Sequence, residues 1–396
     1  MTSRTQPDKP PRFAARTIRR TCDVPRDDWN ALLDGDDTPF VRHEFLELLE
    51  DTLCVGPGTG WTPCHIVASR GGDAVDGVSP LYLKEHSYGE YVFDWAWANA
   101  YQQHGIDYYP KLVCAVPFTP VTSRKLLTAG RDRVVAHTLI AAIDAFARGN
   151  PLSSIHALFL TPKDAARFEG AGYLVRHDNQ FHWRNNDYAD FDDYLARFTS
   201  KKRKNIRAER RQVAAAGVRY RWLHGPETSE ADWLAMYDLY VRTISEHGGF
   251  PYLKRDFFLG LASAMADRVL LLQGRVEADV VCGALYFLGE RALYGRYWGA
   301  NRFIPHLHFE TCYYQPIEYA ISRGLVSFEA GAQGLHKLSR GLEPTTTRSA
   351  HWLKHPAFYD AVDRFLTAER GEQERYTRLL RESLPFRQSD PDPQDK

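Results

Sequence analysis

The chain is short of nearly everything that marks a specialised environment. Fifty Lys and Arg are cancelled by fifty Asp and Glu, so no global field draws it to nucleic acid or membrane, and any such attraction is local. Cysteine is scarce and scattered: Cys22, Cys54, Cys64, Cys114, Cys282 and Cys312 form no CxxC pair. That argues against a disulfide scaffold or a structural zinc site and fits a reducing cytoplasm. No run approaches the roughly 18 apolar residues of a membrane span. The N-terminus, MTSRTQPDKPPRFAARTIRR, is basic but lacks the apolar segment of a secretory signal.

What is there is a folded chain of 396 residues, 44% hydrophobic and 25% charged, long enough for about two domains. Polar tails are expected at 1–14 and 388–396. ARTIRRTCDV reads as a strand, and PRDDWNALLD and RHEFLELLEDTL as helices. TPCHIVASR and VSPLYLKE read as strands joined through the turn GGDAVDG. An aromatic block follows over 86–127, with His86, Glu90 and Asp94 interleaved. It is either core packing or an aromatic-walled substrate groove holding Glu90 and Asp94. KLVCAVPFTP is a strand, VVAHTLIAAIDAFARG a long helix, SIHALFL a buried strand, PKDAARFEGAG a short helix and YLVRHDNQFHWRN a strand.

The second half repeats this order. RYRWLH is a strand, and EADWLAMYDLYVRTISEHGG a helix with Trp233, Tyr237, Tyr240, Val241 and Ile244 on one face. DFFLGLASAMA is a helix, and RVLLLQ, DVVCGALYFL and RALYGRYWGA are strands. A helix near Tyr314–Arg323 precedes the strand LVSFEAG. Pro316 pushes its start toward Gln315, with HFETCYY as an irregular entry. Each half thus reads strand, two helices, about three strands, helix, strand, the layout of a GNAT acyltransferase domain. The expected fold is α/β, a tandem GNAT-like pair (15–190 and 218–387), each a mixed twisted sheet flanked by helices.

Between the halves, 191–217 is expected to be one basic linking helix. Residues 201–211 hold seven Lys or Arg against one Glu. They form either a solvated or core-lining helix face, or a contact for the phosphates of a tRNA, coenzyme A or a nucleotide-linked substrate.

The blocks LYLKEHSYGEYVFDWAWANAY, YYPKLVCAVPFTPVTSRKLL, FDDYLARFTSKKRKNIRAERRQV and HFETCYYQPIEYAISRGLVSFEAGAQGLHKLSRGLEPTTTRSAHWL resemble the FemAB-like predicted N-acyltransferases. These belong to the Fem-like transferases, tandem GNAT-fold bacterial enzymes, some of which attach amino acids from aminoacyl-tRNA to peptidoglycan precursors. The resemblance spans roughly 15–385. It implies a cytoplasmic N-acyltransferase with acyl-CoA or aminoacyl-tRNA as co-substrate and no tightly bound cofactor. The implied acceptor is a small-molecule amine or a peptidoglycan-precursor-like amine. Ser123 and Pro316 depart from the group, which has glycine and a small residue there. The second half also lacks the Q/R-x-x-G-x-G/A coenzyme loop; NRFIPHLHFE stands in its place, which puts acetyl-CoA in question.

Acyl transfer needs a base for the amine and a cation or dipole for the oxyanion. Glu329 at a strand end and His336 on a glycine-flanked loop are the candidate bases. Lys337 beside them is the candidate stabiliser, as lysines in this loop position look functional in Fem-like enzymes. Glu90, Asp94, Tyr297, His306, Glu310, Gln333 and Arg340 are expected to contact substrate, with Glu329 and Arg340 as one cluster. Ser123, Arg124 and Lys125, on a loop leading into a helix N-terminus, are expected to hold donor phosphate, with Lys201, Lys202, Arg203 and Lys204. His306, His308 and Glu310 lack a third ligand position, and no metal is expected. A chemistry-free alternative, binding of a cell-wall precursor or nucleic acid, stays open.

Overall fold

The computed structural model describes residues 13–71, 74–332 and 334–387. Of the tails expected at 1–14 and 388–396, residues 1–12 and 388–396 lie outside them, as does the site residue Gln333, while Ala14 already belongs to a strand. The first half contributes strands β1 (Ala14–Ile18), β2 (Trp61–Pro63), β3 (His65–Ser69), β4 (Gly77–Ser79), β5 (Tyr82–Lys84), β6 (Lys111–Cys114), β7 (Leu127–Thr128), β8 (Ser154–Ala157) and β9 (Leu174–Arg184). The second contributes β10 (Arg219–His224), β11 (Val269–Val276), β12 (Asp279–Leu288), β13 (Ala292–Ala300), β14 (Ser327–Glu329) and β15 (Glu343–Leu353). The helices are α1 (Arg26–Asn30), α2 (His43–Asp51), α3 (Trp95–Gln103), α4 (Arg133–Arg148), α5 (Pro162–Gly170), α6 (Phe191–Ala196), α7 (Ser200–Ala215), α8 (Glu230–Glu246), α9 (Arg255–Ala264), α10 (Leu307–Phe309), α11 (Gln315–Ser322) and α12 (Pro356–Glu382). This is the tandem GNAT-like α/β arrangement the element order implies.

The strands form a four-stranded sheet, β1-β3-β4-β7, and an eleven-stranded sheet, β10-β11-β12-β13-β14-β9-β15-β8-β6-β5-β2. The second sheet runs through both halves. Near its middle lies the eleven-residue strand β15, a stretch assigned no element from the sequence. That strand pairs antiparallel with β9 from Glu343↔His182 to His351↔Leu174, and with β8 on its other edge. A segment of the second half is therefore built into the sheet of the first, and 218–387 does not fold on itself alone.

Local chemistry fixes the flanking helices. Asp132 caps α4 by accepting from the amides of Val134 (2.7 Å) and Val135 (3.2 Å), and the helix buries Val135, Leu139, Ile140 and Ile143 in the helical spacing of one apolar face. Ser229 and Asp232 form a capping box at the start of α8. This helix buries Trp233, Met236, Leu239 and Tyr240 so tightly on β13 that a Cβ at Gly299 would stand 2.2 Å from the Leu239 carbonyl oxygen. The linking segment is two helices rather than one, α6 and α7, broken at 197–199 where Phe198 is buried against Phe386. The irregular entry to α11 is a π-helical turn, Glu310–Tyr314, and α11 starts at Gln315 with Pro316 in its first turn.

A polar cluster sits inside the first half. Lys111 Nζ, fully buried, donates to Glu90 (2.9 Å), Ser87 (2.8 Å) and Asp94. Burial and the neighbouring Asp94 push the Glu90 carboxyl up to about 7. Against the pull of burial, Lys111 holds Asp94 well below the carboxylate range. Removing one member of such a pair strands the others without water. Lys111→Met is expected to cost about 3–5 kcal/mol, read as a lower urea midpoint. Adding Glu90→Gln and Asp94→Asn should recover part of the loss.

Candidate functional site

β13 and β14 run parallel over only three pairs, ending at Tyr294↔Glu329. β14 stops there, while β13 continues to Ala300 with β12 alone beside it. β12 itself carries an irregularity at Leu285/Tyr286. The strands part at this point and leave a wedge-shaped cavity of about 80 Å³, lined among others by Tyr297, His308, Cys312, Tyr313 and Gly331. Beyond Tyr294, β13 has no strand on the side facing the wedge, so its main-chain donors are available there.

After Glu329 the chain turns through Gly331 (φ +81°) and Gly334 (φ +119°) into a helical turn, Leu335–Arg340. Only glycine reaches such φ without strain. The turn brings Lys337 back beneath its own loop: Nζ donates to the Gly331 carbonyl at 2.6 Å, and the side chain is buried. Burial without a counter-charge pulls the amine down to about 7. His336 is exposed and contacts the Tyr313 hydroxyl at 2.7 Å. His308, held down to about 4 by burial and then by the charges of His336, Arg340 and Lys337, is neutral.

Glu329 sits across from this loop, Oε1 3.7 Å from His182 Nδ1 on β9, with no partner for Oε2. Burial raises its carboxyl to about 8, against the attraction of Arg296 and Arg184. His182 is held to about 3 by burial and then by Arg184 and Lys337, so the pair is uncharged at neutral pH. The expected Glu329–Arg340 cluster is not formed. Arg340 turns the other way: its guanidinium lies 3.3 Å from the Phe309 ring centroid and 3.3 Å from Glu209 of α7.

A second cavity, about 230 Å³, lies over the β9–β15 ladder. Its floor includes Gln180, Thr347 and Ser349, its walls include Tyr91 and Phe93, and its rim includes Gly334 and Leu335. The segment 330–335 thus borders both cavities. Gln180 also reaches His182 (Oε1 to Nε2, 3.2 Å), joining the groove floor to Glu329.

Of the expected site residues, Glu329 closes the last β13–β14 pair beside His182, Lys337 reaches the Gly331 carbonyl and His336 the Tyr313 hydroxyl, while Tyr297, Tyr313 and Gly331 line the wedge. Other expected site residues go elsewhere. Glu90 and Asp94 are turned into the Lys111 cluster, although their neighbours Tyr91 and Phe93 wall the groove. Glu310 is buried on Arg210 (3.1 Å) and Gln315 (2.8 Å). His306 caps α10 with a left-handed backbone (φ +65°) and lines a separate hollow with Arg242 and Phe303. Ser123, Arg124 and Lys125 do not face a ligand site. The loop leads into β7, not directly into a helix. Lys125 Nζ is spent on Ser123 Oγ (2.7 Å) and the Phe159 carbonyl (3.1 Å), and Arg124 on Asp37 and the Leu32 carbonyl (2.8 Å). All three are buried. On α7, Lys201 and Lys204 are exposed, and Lys202 and Arg203 half-buried. Burial, then the nearby Arg340 charge, lowers Lys202. Among the described residues, no group of three or more His, Cys, Asp or Glu is placed to hold a metal, and no helix is long and apolar enough to cross a membrane. Sequence reasoning misses His182 and Glu209. The alternation Gln180-His182-Arg184 in QFHWR was the available signal for the first; nothing in the sequence ties Glu209 to Arg340.

Residues 20–388 match the FemAB-like family, described by peptidoglycan biosynthesis/recognition. No curated protein matches the chain. Among solved structures it is similar to FemX (TM-score 0.53, 13% identity, 86% of this chain and 98% of that one). It is similar to the C-terminal domain of a putative lysylphosphatidylglycerol synthetase from Agrobacterium fabrum (0.52, 10%, 86% and 96%). It is also similar to L-PGS from Bacillus licheniformis (0.51, 12%, 89% and 98%). At these identities the likeness is one of fold.

The raised Glu329 carboxyl has a signed consequence for stability. Between about 4.5 and about 8 the folded protein holds a proton on Glu329 that the unfolded chain has released, so this group's contribution falls as pH rises through that window. The wild-type stability minus that of Glu329→Gln, from urea unfolding at each pH, should decline from pH 4.5 to 8 and be flat outside. A flat difference throughout would place the carboxyl in water.

Proposed function

Because the chain belongs to the FemAB-like family, we propose that it is an acyltransferase moving an acyl or aminoacyl group from an activated donor onto an amine. The observation that carries this is the parting of β13 from β14, which leaves an unpaired strand edge beside a cavity lined by Gly331, whose carbonyl holds Lys337, with Glu329 at the last β13–β14 pair. The donor carbonyl lies along the free edge of β13, whose N–H groups take the place of water around it. The amine enters from the groove over β9 and β15, past the 330–335 rim. Glu329 accepts its proton directly or through one water, and the amine attacks the carbonyl carbon. Lys337, charged in part near neutral pH, faces the oxyanion of the tetrahedral intermediate. Collapse breaks the donor's ester or thioester bond, and the leaving oxygen or sulfur takes the proton back from Glu329, directly or through the same water, and departs as alcohol or thiol.

The donor is aminoacyl-tRNA or acyl-CoA. The exposed cations of α7, Lys201, Lys204, Arg207 and Arg211, support a polyanionic donor, and the groove beside the site suits a peptidoglycan-precursor-like acceptor. Six free cysteines support a cytoplasmic setting. The second reading, a binding protein for a cell-wall precursor or nucleic acid without chemistry, draws on NRFIPHLHFE, which offers α10 a His306 cap and no glycine-rich anion loop.

Lys337→Ala is expected to lower single-turnover transfer by roughly 10²–10³-fold with an unchanged melting temperature. Wild-type activity in that variant would remove Lys337 from the mechanism. With Glu329 as base and charged Lys337 as stabiliser, wild-type turnover should pass through a maximum between pH values of about 7 and about 8 and fall on either side, and Glu329→Gln should abolish the rising limb. Unchanged ligand binding with no donor consumed by wild-type protein would favour the binding reading. If α7 holds tRNA, neutralising Lys201, Lys202, Arg203 and Lys204 together should make the slope of log affinity against log salt shallower by roughly 3. Salt-insensitive RNA binding would remove tRNA as the donor.

A further inference from the structure

The floor of the groove holds a second chemical unit that the acyl-transfer site leaves unused. Alternation along β15 puts Thr347, Ser349 and His351 on one face. His351 Nε2 lies 2.8 Å from Ser349 Oγ, and His351 Nδ1 lies 2.8 Å from Nδ1 of His156, its cross-strand partner on β8. His156 Nε2 reaches the Tyr108 hydroxyl at 3.1 Å and Ser154 Oγ at 2.8 Å. Tyr108 donates to Asp94 Oδ2 at 2.6 Å, and Asp94 is held by Lys111.

One set of protons makes every one of these contacts a hydrogen bond. The Tyr108 hydroxyl spends its hydrogen on Asp94, so toward His156 it can only accept, and His156 Nε2 carries a hydrogen. Burial pulls His156 down to about 3 and His351 well below the ordinary imidazole range, so each ring is neutral with a single N–H. His156 Nδ1 is therefore bare and accepts from His351 Nδ1–H. His351 Nε2 is bare in turn, and Ser349 must donate to it. The order is serine hydroxyl, basic imidazole, orienting imidazole, phenol, carboxylate. Each contact lies within the 2.6–3.2 Å reach of a nucleophile, its base and the group that orients the base. Arg176, directly across the ladder from Ser349, lines the same cavity. It is fixed there by Glu369 (2.9 and 2.7 Å) and the Phe93 carbonyl (2.9 Å).

We propose that Ser349 is an activated nucleophile that takes an acyl group from an ester or thioester bound in the groove over β9 and β15. Ser349 Oγ bonds to the carbonyl carbon and its proton passes to His351 Nε2, with Arg176 beside the developing oxyanion. The C–O or C–S bond then breaks, and the leaving alcohol or thiol takes the proton from His351. An amine discharges the serine ester: C–N forms, Oγ–C breaks, and the amine proton returns to Oγ by way of His351. His156 is a positioning residue that holds His351 in its productive tautomer. Six residue steps along β15 lead from Ser349 to Glu343, which stands across from His182. That is ~20 Å at about 3.3 Å per residue, so this centre is distinct from Glu329 and Lys337.

The test needs neither the donor nor the acceptor of the transferase reading, so the two fail separately. Full-length protein is treated with an alkyl fluorophosphonate, which forms an Oγ–P bond with an activated serine and expels fluoride. Intact mass and peptide mapping follow the adduct, with urea-unfolded protein as the baseline rate. One adduct per folded chain is expected, on the peptide carrying Ser349, at least about 10²-fold faster than baseline. Ser349→Ala should abolish it, and His351→Gln should slow it by a similar factor. A folded wild-type rate no faster than baseline, an adduct that persists in Ser349→Ala, or an undiminished rate in a folded His351→Gln protein each overturns the proposal. The first comparison holds even if the His351 variant does not fold.

Discussion

The β9 strand carries β14 on one edge and β15 on the other, and both cavities depend on that arrangement. Through β14 it reaches the parted strands of the second half. Through β15 it draws a segment of the second half into the first. Side chains along a ladder alternate strictly, so a slip of one residue would turn Gln180, His182, Ser349 and His351 from one face to the other. The register from Glu343↔His182 to His351↔Leu174 is thus a functional constraint as much as a structural one. It is also the reason the halves act as one body: the groove floor takes alternate residues from a strand of each.

Burial acts on ionisable groups in two opposite ways here, and partners decide which. Lys111 is buried among carboxylates, and their attraction outweighs burial and keeps it charged above its ordinary range. Lys337 is buried with only carbonyl oxygen for company and falls to about 7. Glu329 rises to about 8 beside an imidazole that burial keeps neutral. The compensated groups stabilise the interior of the first half. Lys337 and Glu329, without such partners, are poised to exchange protons near neutral pH, as is Glu90 at the edge of the Lys111 cluster.

Much of this was legible in the sequence, because apolar periodicity reports what is buried. The strands from RVLLLQ to LVSFEAG follow from it, while the start of α11 follows from Pro316. Of the face expected on α8, Trp233 and Tyr240 are buried, Tyr237, Val241 and Ile244 are partly buried, and Met236 and Leu239 are the buried residues that expectation omitted. The misses fall where burial is polar or where partners are distant. β15 hid because PTTTRSAH alternates polar residues on a wetted groove floor with short ones beneath, and reads as a loop, although three consecutive threonines favour extended backbone. The aromatic run WAWANAYQQ is helix α3, with Trp97 and Tyr101 four residues apart and both buried. α12 hid because its apolar positions, Val362, Leu366 and Leu380, are thin among charges. Glu329, His336 and Lys337 read as one unit in the sequence because they follow one another around a glycine-flanked turn. Arg340 was assigned the wrong partner because Glu209, more than a hundred residues away, leaves no local trace.

The same turn explains how Lys337 can keep its position while its charge changes. Its amine is positioned by the Gly331 carbonyl, and that carbonyl is aimed by a backbone at φ +81°, a conformation that costs glycine nothing and strains other residues. At Gly334, a Cβ would stand 2.5 Å from the His336 ring, so a side chain there would push on the residue next to the amine. An ion pair would hold Lys337 only while it stayed protonated, and would raise its pKa out of the working range. A carbonyl accepts from either form, since the neutral amine still has two hydrogens to donate. Positioning by main chain therefore separates where the amine sits from whether it is charged, and the loop glycines are what make that separation possible.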